Sequence, residues 1–140
     1  MMKKLEDWEK RFHRFLCENK DRKFRWGRWD CVIFANSACK AISGQKLIPE
    51  YLYWENKRTA VKTIKEYGET LLNSMIKGTK EKGLIEVPKD QIQKGDICVY
   101  DSKGKNITGV CDGYAIVSPA SEGYGYNEMS KAIKVFRING

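Results

Sequence analysis

The stretch from Cys31 to Ile42 constrains this chain most. Val32, Ile33, Phe34, Ala35, Ala38, Cys39, Ala41 and Ile42 cover almost the whole circumference of a helix. A helix that is apolar on nearly every side belongs in the interior, so the remaining elements must be laid around it. Asp30 is a favourable N-cap for this helix and Gly44 a favourable stop. The residues just before it, Phe24-Arg25-Trp26-Gly27-Arg28-Trp29, are charged and aromatic and read as an ordered loop. Upstream, Leu5, Trp8, Phe12, Phe15 and Leu16 recur at three- and four-residue intervals, which predicts an amphipathic helix from about Lys3 to Asn19.

Downstream, Gln45 to Asn56 holds Pro49, Tyr51, Tyr53 and Trp54 and reads as a covering loop. Helical patterns follow over about 57–67 and 70–77, punctuated by Gly68, Gly78 and Gly83. The period then changes. Short strand-like runs occur at 97–100, 107–111, 114–117 and 133–136, separated by turn signals of which Asp112-Gly113 is a hairpin signal. Helices first and strands second predict an α+β fold: N-terminal helices followed by a small antiparallel sheet. The 140 residues fit a single domain spanning 1–140, with no internal repeat or linker.

Composition narrows the function classes. With 41% hydrophobic and 31% charged residues the chain is globular, not disordered. No apolar run is long enough for a membrane span, and no apolar core follows Lys3 and Lys4 as in a secretory signal. The chain is expected to act where it is made, or to be released by lysis or carried on a particle, with no membrane partner. The five cysteines (17, 31, 39, 98 and 111) follow no disulfide ladder, and one histidine, His13, cannot complete a zinc site of standard spacing. No metal and no cofactor is implied. Cys17, Cys39 and Cys98 fall in apolar patterns and are expected in the core. The net charge of +8 is partly concentrated in Lys20, Arg22, Lys23, Arg25 and Arg28. That cluster is either a solvated basic loop or a contact surface for nucleic acid or an acidic protein partner.

The chemistry, if there is any, centres on Cys31. A cysteine in the first turn of a helix meets unpaired backbone N–H groups and the positive end of the helix dipole, which lower a thiol pKa and can hold an oxyanion. Cys31 is therefore the candidate nucleophile, with a buried structural thiol as the alternative. Asp30 is its neighbour, and most simply the N-cap. Trp26 and Trp29 are lids over the helix or walls of a binding pocket, with Arg25 and Arg28 beside them. His13 and Asp112 are the weaker candidate partners for the thiol. His13 lies on the polar side of its helix, and a solvated carboxylate such as Asp112 is a poor base for a thiol.

Asp30-Cys31 opening a helix, then Gly95-Asp96-Ile97-Cys98-Val99-Tyr100 and Gly109-Val110-Cys111-Asp112-Gly113, resembles the small cell-wall cysteine peptidases of the NlpC and CHAP type. The chain also resembles tail-linked phage and prophage proteins with an NlpC-type, papain-like fold. The shared features are Phe24-x-Trp26-Gly27-x-x-Asp30-Cys31-x-x-Phe34-Ala35, Gly44, Gly95-Asp96, Gly109-Val110-x-Asp112-Gly113 and a basic, apolar end such as Val135-Phe136-Arg137-Ile138. The resemblance implies a papain-like hydrolase layout in which a sheet-borne histidine serves as base. That histidine would fall near Ile107 or Thr108, and this sequence has no histidine after His13. The expectation is thus a His-less, incomplete site. The chain would act by binding, in a tail assembly or on a host macromolecule. The alternatives are an active cysteine amidase or peptidase working through Cys31, and a small basic inhibitor of a host defence protein or nuclease.

Overall fold

The computed structural model describes all of Met1–Gly140. Helix α1 runs from Trp8 to Glu18, α2 from Cys31 to Ser43, α3 from Lys57 to Gly68 and α4 from Leu71 to Glu81. Six strands follow: β1 Ile85–Val87, β2 Ile97–Ser102, β3 Lys105–Cys111, β4 Ile116–Ala120, β5 Gly123–Asn127 and β6 Ala132–Arg137. They form one sheet in the order β1-β6-β2-β3-β4-β5, with every pair antiparallel. The α+β layout, with helices ahead of the sheet, is as the sequence periods predict.

Helix α2 is the centre. Phe34, Ala35, Ala38, Cys39 and Ile42 are fully buried and share one core with Ile97, Val99, Val110, Val117 and Phe136 from the sheet. Trp29 and Phe15 close that core with tilted and edge-on ring contacts to Phe34. On the opposite face of the sheet a smaller core gathers Cys98, Tyr100, Ile116, Ala132 and Val135. Short 3-10 turns at 89–91 and 129–131 bring Ile92 and Met129 near it.

Four expectations shift. Helix α1 starts at Trp8 rather than near Lys3, because the preceding residues are claimed by tertiary backbone bonds. The Met2 N–H donates to Lys82 O (3.0 Å), Lys4 N–H to Asn139 O (2.6 Å) and Leu5 N–H to Ile42 O (2.9 Å). Helix α4 continues through Gly78 to Glu81, carried by its buried Met75 and Thr79. Strands β1 and β5 are additional to the expected set. The first is three residues long and ends at Pro88; the second is Gly-Tyr-Gly-Tyr-Asn, with weak strand propensity. Cys39 and Cys98 are buried as expected, but Cys17 is exposed on α1, since its side of the helix carries the polar residues.

The Gly-Asp motif and the basic C-terminal end explain one another. Asp96 is fully buried, and Arg137 grips it with two bonds, Nε to Oδ1 (2.9 Å) and Nη2 to Oδ2 (2.8 Å). The Gln93 N–H also donates to Asp96 Oδ2 (2.8 Å). These residues tie the start of β2 to the end of β6. Their part in the motif is architectural.

Candidate functional site around Cys31

The loop before α2 is folded by Gly27 and Asp30 together. Gly27 has φ +78°, and a Cβ there would lie 2.6 Å from Glu55 O. Only glycine allows this turn to pack against the 45–56 loop. Asp30 is buried, and its carboxylate accepts three bonds. Ile33 N–H caps the helix at 3.0 Å, Gly27 N–H closes the turn at 3.0 Å, and Trp54 Nε1–H arrives from the covering loop at 2.8 Å. One side chain therefore fixes the helix start, the turn and the cover.

A gap in the sheet faces Cys31. Strands β3 and β4 pair only at Val110↔Val117 and Cys111↔Ile116. Continuing that register would put Thr108 opposite Pro119, which has no N–H to donate. The strands part there. The Phe24 N–H instead takes the neighbouring Ala120 carbonyl (2.8 Å), drawing the Phe24–Trp26 loop over the opening. The result is a cleft of about 380 Å³ with Cys31 on its wall. Phe24, Trp26, Ile107 and Pro119 provide apolar walls, and Lys57 and Lys105 stand at its edge. Gly109 is required beside the gap, because a Cβ would lie 2.5 Å from Ile116 Cγ2 and 3.0 Å from the Tyr100 ring.

The residue facing the thiol is Thr108. Its hydroxyl and backbone are near enough to favour a thiolate, as is the Val32 N–H. Yet Thr108 Oγ1 is fully buried and makes no well-formed hydrogen bond. Burial outweighs these contacts. It pushes the Cys31 thiol up to about 11, and the Asp30 carboxylate adds to the rise. Desolvation of the anion acts against the lowering expected of the helix N-terminus. On the far face of the sheet, Tyr100 and Ser118 share a 2.6 Å hydrogen bond, and Asn127 Nδ2 donates to the Tyr100 hydroxyl at 3.4 Å. The Tyr100 phenol is also raised by burial, so it holds its own proton and cannot take one from the thiol.

Residues 3–138 match the family described as a domain of unknown function, DUF6950. The chain belongs to the DUF6950 family. No curated protein matches it. The family description assigns no chemistry, so the placement of each residue has to do so.

In this DUF6950 chain the structure brings Cys31, Asp30 and Trp26 to one cleft. It does not bring the other candidates there. His13 is exposed on α1, where its Nε2 lies 3.6 Å from Cys17 Sγ. Asp112 lies in the β3–β4 turn, accepting from Tyr114 N–H and Ala115 N–H at 2.8 Å each. That turn is four residues along β3 from Thr108, roughly 13 Å at strand spacing. Trp29 is a core residue, 2% exposed, and so not a pocket wall. Arg25 and Arg28 border a separate opening on the other side of Trp26, away from the thiol. Arg22 is withdrawn from the basic loop, lying 4.0 Å over the Trp29 ring and bonded to Asn19 Oδ1 (3.2 Å). Lys23 faces Glu122 at 3.7 Å.

Several cleft residues carry no sequence signal for the role. Trp54 reaches Asp30 across 24 positions, and Lys57, Lys105 and Pro119 meet only through the fold. Pro119 is the one that could have been anticipated, since a proline inside a strand marks a place where pairing fails.

Proposed function

We propose that this chain is a phage- or prophage-derived binding protein on a papain-like thiol-hydrolase fold whose site has no base. It works in a tail assembly or on a host macromolecule, in the virion or the host cytoplasm. The observation that carries the reading is placement: Thr108 of β3 faces Cys31 at the start of α2, while His13 is exposed on α1 and Asp112 sits in the β3–β4 turn. A threonine hydroxyl cannot accept the thiol proton at neutral pH, so the usual general-base step has no acceptor. The cleft is nevertheless formed and lined with aromatic and apolar side chains, as a binding pocket requires. The resemblance of the Phe24–Ala35 motif to tail-linked phage proteins supports the origin.

The test is incubation of the purified protein with peptidoglycan-derived peptides, with mass spectrometry of the products. The peptides should remain intact at neutral pH. Cleavage that disappears in Cys31→Ala would establish the active-hydrolase alternative instead.

A further inference from the structure

We infer that the arginine and aromatic cleft on the outer side of Trp26 is a binding surface for single-stranded nucleic acid. This opening, about 400 Å³, is lined by Arg25, Trp26, Gly27, Arg28, Tyr53, Trp54 and Glu55. It is separate from the Cys31 cleft, although Trp26 and Trp54 border both. The inference supplies a partner that the reading above leaves open and does not depend on the state of the thiol.

Three features converge. First, neither Arg25 nor Arg28 joins any of the ion pairs in the structure, which instead use Arg11, Lys23, Lys94, Lys134 and Arg137. Two guanidinium groups flank the opening, and Glu55 is the one acidic residue in its lining. Their expected partner is an anion, and phosphate suits the guanidinium fork. Second, the aromatic rings are available. Tyr53 is 73% exposed and its neighbour Tyr51 is 75% exposed, an unusual pair for rings with a core within reach. Trp26 is held edge-on against Phe24 at 5.1 Å, which fixes its plane beside the arginines. Third, the platform is rigid. Gly27 packs on the Glu55 backbone, and Asp30 bonds both Gly27 and Trp54, so the arginine loop and the tyrosine loop are locked together.

Fixed rings beside unpaired cations are what unpaired bases and their phosphates require. Stacking on aromatic side chains is sequence-tolerant and needs bases out of the duplex, so a single strand fits better than a double helix. An acidic protein would use the arginines but would leave the exposed Tyr53 ring without a role. The surface that carries the charge is thus Arg25 and Arg28 with Tyr53 and Trp26. Of the other cations in the basic loop, Arg22 and Lys23 are engaged elsewhere.

The experiment is fluorescence anisotropy with a labelled thymidine 12-mer DNA, at several salt concentrations, with inorganic polyphosphate as a base-free competitor. Binding should weaken with salt, and each of Arg25→Gln and Arg28→Gln should reduce the log–log salt slope by about 0.7. Tyr53→Ala should cost roughly 5- to 150-fold in affinity, from about 1–3 kcal/mol per stacked base at tenfold per 1.4 kcal/mol. Tyr53→Phe should restore it. Tyr53 is exposed, so its truncation leaves the fold intact even if Trp26→Ala does not. Lys89→Gln, on the 3-10 turn at 89–91 that Arg137 ties to the end of β6, should bind as wild type. No binding at low salt would overturn the inference. So would binding that polyphosphate displaces fully and that Tyr53→Ala leaves unchanged, since that is attraction of any polyanion. Peptide hydrolysis by Cys31 would overturn the functional reading above and leave this result standing. Absence of both activities would overturn the inference alone.

Discussion

Replacing Asp30 by alanine removes three hydrogen bonds at once, and the loss can be sized from the structure. The helix cap to Ile33 N–H is worth about 1 kcal/mol. The Gly27 N–H and Trp54 Nε1–H each lose the acceptor they hold at 3.0 and 2.8 Å. Leaving a buried donor unpaired costs about 1–3 kcal/mol. Trp54 is 9% exposed and Gly27 is half-buried, so water can reach part of each and the lower half of that range applies to both donors. The sum is about 3–5 kcal/mol, a large share of the ~5–15 kcal/mol stability of an ordinary domain. For 140 residues this corresponds to a fall in Tm of roughly 10–15 °C. Urea and thermal unfolding followed by circular dichroism measure it, and tryptophan fluorescence reports release of Trp54. Asp30→Asn keeps one acceptor for the cap but presents an NH₂ group to two donors, so it should recover little more than the cap. A loss below about 1 kcal/mol for Asp30→Ala would refute the reasoning. It would mean that Asp30 is only a helix cap and that the two loops are held by something else.

Other outcomes follow from the same geometry. Gly27→Ala should destabilise by at least ~2 kcal/mol, because it combines a positive φ with a Cβ 2.6 Å from Glu55 O; urea titration decides it, and a neutral effect would contradict the packing. Asp96→Ala should cost about 3–5 kcal/mol by leaving Arg137 without its carboxylate, with Asp96→Asn milder. Stability should fall in alkali. Cys31 and Cys39 are raised by burial from 9.0 to about 11 and about 12, so the folded state keeps protons that the unfolded state releases. Their contribution is fully present below pH 9 and is lost as pH rises through 11 and 12. Cys98, Cys111 and Tyr100 shift in the same direction, while Lys4, lowered by burial, acts in the opposite sense. A urea midpoint in reductant that is unchanged or higher at pH 10.5 than at pH 8 would contradict this.

The helical half of the fold was legible because its signals are local. Asp30, Asn56 and Thr70 cap the helices they precede, and Gly44 ends α2 in a left-handed conformation. The central position of α2 followed from its all-round apolar character. What the sequence did not reveal depends on tertiary competition. Residues 3–5 fall in the expected helical stretch, but the backbone N–H groups of Met2, Lys4 and Leu5 are taken by Lys82, Asn139 and Ile42. Strand β5 is glycine-rich and is held by β4, with the Tyr124 hydroxyl donating to Leu16 O at 2.8 Å. At the site, the motif drew attention to the Asp30–Cys31 junction, and the structure brings Asp30, Cys31 and Trp26 to one cleft. The motif could not show that Trp54 completes the Asp30 network or that Pro119 opens the sheet. It could not show that the basic loop divides, with Arg22 folded onto Trp29 while Arg25 and Arg28 stay free. The helix-dipole argument for a reactive thiol left out desolvation, which acts against it at Cys31.

The central claim is that Cys31 is a protonated thiol with no base, and its alkylation rate as a function of pH tests this most directly. Native protein is treated briefly with iodoacetamide between pH 7 and 11.5, and each cysteine is quantified by mass spectrometry. The exposed Cys17 serves as the internal reference. The account predicts that Cys17 is modified first at neutral pH, and that modification of Cys31 begins only in alkali, with an inflection near 11. Modification of Cys31 ahead of Cys17 at pH 7 would contradict it, because burial would then not be holding the thiol protonated.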